Sequence, residues 1–358
     1  MKKRIVFLVR LALFTLAANC RAQEATANDQ ARFLAGLPVR DTPLAPLALD
    51  HAWVEHATEF DAAWKTLNTR QLAKIQTWSQ QFLVDAAASS DPLFYFFSGP
   101  DILYAQAFFP NASTYVLCGL EPVGDIPDVA KLPKGGLAPS LENLRKTLNS
   151  VLSFSFFITK EMKVDLNHKE LSGTLPLLYV FLARSDRKID SVEMVGLDKS
   201  GAFVSEKPAT RGVKIVFFGP TGKPQTLYYF SSDLSNDAIK SNPAFTKFCA
   251  NLGMGQSFVK AASYLMHMPY FSNARDFLLD HSRALVEDDS GIPFRDFDPV
   301  KWTVRLFGSY RAPIDLFKEK VQPDLADRYR TSHPAPLGFS YGYRWQPSDS
   351  CLILATPK

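Results

Sequence analysis

Five consecutive apolar residues, Leu93-Phe94-Tyr95-Phe96-Phe97, restrict the fold more than any other part of the chain. An unbroken apolar run of strand length fits a strand covered on both faces rather than an element with one wet side. Ser98-Gly99-Pro100-Asp101 breaks the run, and Asp101 is placed to cap a short helix from Ile102 to Phe109. Pro110, Asn111 and Ala112 end that helix. A second buried strand follows from Thr114 to Leu120 and closes at Glu121-Pro122. Strand, helix and strand at this spacing predict a βαβ unit, in which the two strands lie parallel.

The rest of the chain is read around this unit. Asp50 is an N-cap for a helix to about Leu67, and Asn68 or Thr69 restarts a second helix that runs to about Ala87. Residues 124–137 form a Pro/Gly-rich loop. Helices are expected from Ser140 to Phe157 and from Leu175 to Arg184. Between residues 191 and 232 the period changes to that of strands. Ser191–Leu197, Ala202–Ser205, Val213–Phe218 and Thr226–Ser231 read as an antiparallel meander. Two or three helices are then expected, at about 243–251, 255–268 and 272–286, with a short one near 322–330. Strands at Trp302–Tyr310, Phe339–Trp345 and Cys351–Ala355 close the sheet. The expected fold class is α/β (or α+β): a three-layer domain with a mixed sheet, made of one parallel βαβ unit plus an antiparallel meander.

The N-terminus reads as an export signal. Met1-Lys2-Lys3-Arg4 is a basic start, Ile5–Ala18 is a short apolar core, and Ala22 sits where a signal peptidase would cut. The apolar core is shorter than the roughly 20 residues a bilayer-spanning helix needs. No transmembrane segment is expected once residues 1–22 are removed. The expected organisation is a signal peptide at 1–22, a flexible N-terminal tether at 23–49, and one globular domain at 50–358, with room for two subregions dividing near 160–190. The expected location is periplasmic or secreted. A lipid anchor through Cys20 is less favoured, because Asn19 precedes it where a small residue is usual.

Removing the signal also removes Lys2, Lys3, Arg4, Arg10 and Arg21. Lys plus Arg then falls from 40 to 35 against 36 acids. The basic balance of the whole chain therefore belongs to the targeting segment, and no nucleic-acid partner is expected. The remaining cysteines, Cys118, Cys249 and Cys351, sit in apolar surroundings and read as buried core residues.

Candidate site residues cluster at the βαβ unit. A turn from strand to helix brings backbone N–H groups and the positive helix end to a crevice mouth. Ser98, Gly99, Asp101 and Glu121 are the expected ligand-binding residues. Glu121 lies 22 positions after Gly99, near the spacing at which an acidic residue binds a ribose in dinucleotide folds. The rest of that fingerprint is missing. There is one glycine, Pro100 removes a donor, and Asp101 opposes a phosphate. No cofactor is expected.

Other constellations are weaker. His51-Ala52-Trp53-Val54-Glu55-His56 is one residue too long for H-x-x-E-H, and residues five apart lie on different helix faces. An amphipathic helix with exposed His and Glu explains it better. Asp280-His281-Ser282, followed by Glu287, Asp288 and Asp289, mixes a histidine with acids but lacks a calcium-loop spacing. It reads as a helix end followed by a solvated acidic turn. No metal site is expected. Gly219, Gly222 and Lys223 fit a hairpin turn, and Ser185–Lys188 fits a solvated turn, better than a phosphate loop or a nucleophile motif. Tyr341, Tyr343 and Trp345 would share one strand face, which more often covers a sheet than stacks a ligand.

Two functions follow as expectations. The first is an exported protein that binds a small molecule or an envelope partner at the strand-end crevice. The second is an exported hydrolase using carboxylate or histidine chemistry, with Asp101, Glu121, His281 and Asp289 as catalytic candidates.

Overall fold

The computed structural model describes residues 24–154 and 171–358. The proposed signal peptide and the expected end of the helix at Phe157 lie outside the described residues. One sheet of nine strands forms the centre: β1 (Leu93–Tyr95), β2 (Thr114–Gly119), β3 (Lys188–Leu197), β4 (Thr210–Phe218), β5 (Pro224–Ser231), β6 (Gly255–Val259), β7 (Ser282–Glu287), β8 (Trp302–Gly308) and β9 (Cys351–Pro357). Their order is β3-β4-β5-β2-β1-β6-β7-β9-β8. The five central strands are mutually parallel, and β3–β4–β5 and β7–β9–β8 pair antiparallel. Strands from both sides of residues 160–190 belong to this one sheet.

Both faces of the sheet are covered, as the unbroken apolar run requires. Leu93 and Tyr95 join one core cluster, while Phe94 and Phe96 join the other. Eleven helices accompany the sheet among the described residues: α1 (Ala27–Leu34), α2 (His51–Leu67), α3 (Ala73–Phe82), α4 (Val84–Ala88), α5 (Ile102–Phe108), α6 (Leu137–Phe154), α7 (Leu175–Arg184), α8 (Asn236–Ser241), α9 (Ala244–Asn251), α10 (Ser272–His281) and α11 (Pro323–Ser332). No helix among the described residues is long and apolar enough to cross a membrane.

The architecture is therefore the expected mixed α/β sheet, with a larger parallel part than one βαβ unit. The difference lies in two segments. Gly255–Val259, expected to start a helix, is the buried strand β6, and the expected helix at 272–286 stops at His281 and gives way to β7. Short strands draw their stability from partners distant in sequence, here β1 and β7 for β6, and local periodicity does not carry that information. Phe339–Trp345 is not a strand; it turns at Gly342, whose φ is 62°, and buries Phe339 and Tyr341. Ala202–Ser205 contributes only an isolated bridge between Leu197 and Phe203. The expected helix from Asn68 is interrupted by a π-helical turn at Asn68–Leu72 and again at Leu83.

Residues 23–49, expected as a tether, contain α1 packed into the core. Thr26 and Asp29 form a reciprocal capping box, with Asp29 N–H donating to Thr26 Oγ1 at 3.1 Å and Thr26 N–H to Asp29 Oδ2 at 2.9 Å. Ala31, Phe33 and Leu34 are fully buried. Thr26→Ala is expected to cost about 1 kcal/mol, seen as a lower urea midpoint with an unchanged slope.

His56 is also buried rather than exposed. Its Nε2 lies 2.9 Å from the Leu34 carbonyl oxygen, and burial lowers its pKa to about 4. His51 stays at the surface.

Candidate functional site

Numbered among themselves, the parallel strands run 3-2-1-4-5 (β5, β2, β1, β6, β7), the order of the doubly wound dinucleotide fold up to its fifth strand. The chain leaves β1 through α5 toward β2 on one side, and β6 lies on the other. The connections thus diverge beyond the carboxyl ends of β1 and β6, where open α/β sheets hold their ligands. A cavity of about 300 Å³ opens there. Four loops line it, following β1 (Phe97–Asp101), β2 (Leu120, Glu121), β5 (Ser232–Leu234) and β6 (Lys260–Ser263).

The β1 loop is fixed by its own side chains. Phe97 and Gly99 adopt positive φ values of 59° and 53°. Ser98 ties the loop to β2: its N–H donates to the Cys118 carbonyl at 2.8 Å, and its Oγ accepts from Cys118 N–H at 3.1 Å. Asp101 caps α5, accepting from Tyr104 N–H at 3.2 Å and from the Tyr95 hydroxyl at 2.9 Å.

Lys260, the residue after β6, reaches across the divergence to Asp101. Its Nζ lies 2.7 Å from Asp101 Oδ2, with the two side chains 2% and 3% exposed. The ammonium also sits 3.4 Å from the Tyr104 ring centroid, a favourable cation–π position. Burial pushes the Asp101 carboxyl up and the Lys260 ammonium down, and the attraction between them opposes both shifts. The pair carries no net charge wherever the shared proton sits.

Glu121 is only 4% exposed. Its carbonyl accepts from the Tyr229 hydroxyl at 2.9 Å. A Cβ on Gly119 would fall 2.3 Å from Glu121 Oε2, and one on Gly99 would stand 3.7 Å from it. Glycine at 119 therefore lets the carboxylate fold back toward the β1 loop. Asp233 adds a second acid at the rim. The Cys118 thiol is pushed up, first by burial and then by Glu121, which disfavours the thiolate.

The β6 loop is strained. Ala261, Ser263 and Tyr264 all have φ between 52° and 54°, a region that costs a non-glycine residue roughly 1–2 kcal/mol. Side chains of Asp288, Ser290 and Tyr343 hold it in place. Ala261 N–H donates to Asp288 at 3.3 Å, Ala262 N–H to Ser290 Oγ at 2.8 Å, and Ser263 N–H to Tyr343 Oη at 3.1 Å. Three successive N–H groups are thus committed inward, so this loop is no phosphate cradle.

The structure brings Ser98, Gly99, Asp101 and Glu121 to one cavity and leaves His281 and Asp289 out of its lining. His281 precedes β7 and so lies at the opposite end of the sheet, stacked 4.0 Å from the Phe277 ring. Asp289 is buried, accepting from the Tyr264 hydroxyl and from Cys351 Sγ at 3.3 Å. The acidic run expected as a solvated turn is interior: Glu287, Asp288 and Asp289 are all buried. No group of three or more acids, histidines or cysteines among the described residues could hold a metal ion. Lys260 is a cavity residue that the sequence does not single out, because 255–268 reads as helix there, whereas Gly255–Val259 is a strand. Neither known protein families, nor characterised proteins, nor solved structures gave a significant match to the chain.

Proposed function

We propose that the protein binds a small, non-anionic ligand bearing vicinal hydroxyls, such as a nucleoside or a monosaccharide, in the cavity at the divergence of β1 and β6. The observation that carries this reading is the charge of the cavity wall. Asp101 and Lys260 cancel, leaving Glu121 and Asp233 to face the ligand. A carboxylate accepts from two adjacent hydroxyls at once, and a phosphate would meet repulsion. The position of Glu121 at the end of the second parallel strand matches that of the ribose-binding acid in the doubly wound fold, which is an analogy of fold and not of sequence.

Binding is favoured over hydrolysis because both oxygens of Asp101 are engaged by Tyr95, Tyr104 and Lys260, leaving it poorly placed to take a proton. Binding is favoured over an envelope-protein partner because the site is concave and small. Export through residues 1–22 is part of the proposal, and N-terminal sequencing of the chain from its producing cells should start at Gln23.

Calorimetry with adenosine, methyl riboside and AMP tests the reading. Adenosine is expected to bind more tightly than AMP, and Glu121→Gln is expected to weaken it at least tenfold, about 1.4 kcal/mol, without lowering the thermal midpoint. Tighter binding of AMP, or adenosine binding untouched by Glu121→Gln, would refute it.

A further inference from the structure

The strand-end cavity is not acidic throughout. Apart from Glu121 and Asp233, it is lined by Phe97 from the β1 loop, Leu234 from the β5 loop, and Leu265 and Phe271 from the segment that follows the β6 loop. The rings of Phe97 and Phe271 meet edge to face, with centroids 5.7 Å apart and planes at 78°. Leu120, beside Glu121 in the β2 loop, also lines the cavity and is 58% exposed.

Neither ring is spent wholly on the core. The aromatic run after Leu93 does not bury evenly: Phe94 and Phe96 are fully buried in the second core cluster, whereas Phe97 packs at its margin and stays partly exposed. The backbone turns at Phe97, with φ at 59°. A bulky side chain holds a positive φ only where its surroundings impose it, and such strain gathers at ligand clamps. Phe271 is likewise partly exposed. The chain on both sides of it is tied to α8 by Asn236, whose Nδ2 donates to the Pro269 carbonyl and to Ser272 Oγ, each at 3.0 Å, and whose Oδ1 accepts from Asn273 N–H at 3.0 Å. Two separately fixed backbones thus bring two aromatic side chains to one side of the cavity.

We propose that this aromatic wall makes the cavity selective for nucleosides over simple sugars, the base lying against Phe97 and Phe271 while Glu121 takes the ribose hydroxyls. The inference rests on the diol reading of Glu121 and supplies the other half of the ligand. A monosaccharide carries hydroxyls around its whole ring and would turn some of them toward Phe97, Leu234, Leu265 and Phe271, where they lose water without gaining a partner. A nucleoside divides its chemistry as the cavity does, with the vicinal hydroxyls at one end and a flat π-surface at the other. Stacking on an aromatic side chain accepts any base, because every base has a π-face, so the wall selects for a base and not for one particular base.

Calorimetry on the whole chain compares adenosine, cytidine and methyl riboside, which share the diol and differ in the base. Both nucleosides are expected to bind about tenfold or more tightly than methyl riboside. Phe271→Leu keeps an apolar cover on the core but removes the aromatic face; it is expected to erase most of that preference while methyl riboside binds as it does to the wild type. Glu121→Gln is expected to weaken all three ligands alike. Proton NMR of adenosine with the wild-type chain gives a reading that needs no variant: the base protons H2 and H8 are expected to move upfield on binding, under the ring currents of Phe97 and Phe271. Equal affinity for nucleosides and methyl riboside, with Glu121→Gln still weakening both, would overturn the aromatic wall and leave the diol site standing. A preference for nucleosides that survives Phe271→Leu without any upfield shift would overturn it as well. Binding of none of the three would remove the diol reading and this inference with it.

Discussion

Lys260→Met is expected to destabilise the protein by about 3–5 kcal/mol, the range for breaking a buried ion pair by removing one partner. The substitution keeps the bulk of the side chain but strands the Asp101 carboxyl, which is 3% exposed, without its cation. The residual donors, Tyr95 Oη and Tyr104 N–H, do not replace a positive charge. The loss should also depend on pH. Without Lys260 the folded-state pKa of Asp101 rises further above its unfolded value, so the favourable contribution is full at acid pH and is lost as pH rises. The variant should therefore be closest to wild type in acid and furthest from it in mild alkali. Adding Asp101→Asn should recover most of the loss, since asparagine can still accept from Tyr104 N–H and needs no counter-ion. Urea unfolding of the wild type and the two variants at two pH values checks this. A Lys260→Met chain as stable as wild type at alkaline pH would mean that the pair does not hold the two loops together.

Asp288→Asn is expected to gain about 2 to 3 kcal/mol relative to wild type between pH 5 and pH 7.5. Burial, and then the neighbouring Asp289 charge, push the Asp288 carboxyl up to about 7 from 3.8. A carboxyl whose pKa is raised on folding adds stability that is complete below its unfolded pKa and disappears as pH climbs to its folded pKa, at 1.36 kcal/mol per unit. His56 and His267 oppose this trend in wild type. Burial lowers both to about 4, so each keeps its contribution at neutral pH and loses it as pH falls from about 6.5. The variant shares those histidines, and the difference between the two curves isolates Asp288. Asparagine resembles the protonated acid in shape and retains an acceptor for Ser290 and Ala261, which bond Asp288 in the native loop. Parallel stability curves for the two proteins would show that Asp288 is ionised in the folded state at both pH values.

These two residues also show what local sequence could and could not reveal. The βαβ unit was legible because its signals are local. A five-residue apolar run must be covered on both faces, Asp101 sits one residue before the helix it caps, and Glu121 lies two residues past the second strand. Lys260 was hidden because β6 is a strand only by virtue of β1 and β7 beside it. Taken alone, Gly255–Val259 and the residues after it suit a helix equally well. The run Glu287-Asp288-Asp289 was hidden for the opposite reason. Three successive acids ordinarily mean solvent, and here Ile292 N–H, Ala261 N–H, Ser290 and Tyr264 supply the bonds that let them be buried. The same applies to His56, whose burial depends on the Leu34 carbonyl of a segment that composition marked as a tether.

Together, the buried acids and tyrosines hold the β6 loop in its strained form, and the loop holds Lys260 against Asp101. The loops after β1 and β6 are thus held by the protein's own contacts, and Glu121 closes the cavity wall beside them. Under the proposed function, a cavity preformed in this way would lose little freedom on binding.

The most direct test is an amide NMR titration of the chain with adenosine. The account predicts shifts concentrated at residues 97–101, 119–121, 232–234, 260–263, 265 and 271, and their loss in Glu121→Gln. Shifts elsewhere on the fold, or none at saturating nucleoside, would contradict the assignment of the strand-end cavity as the binding site.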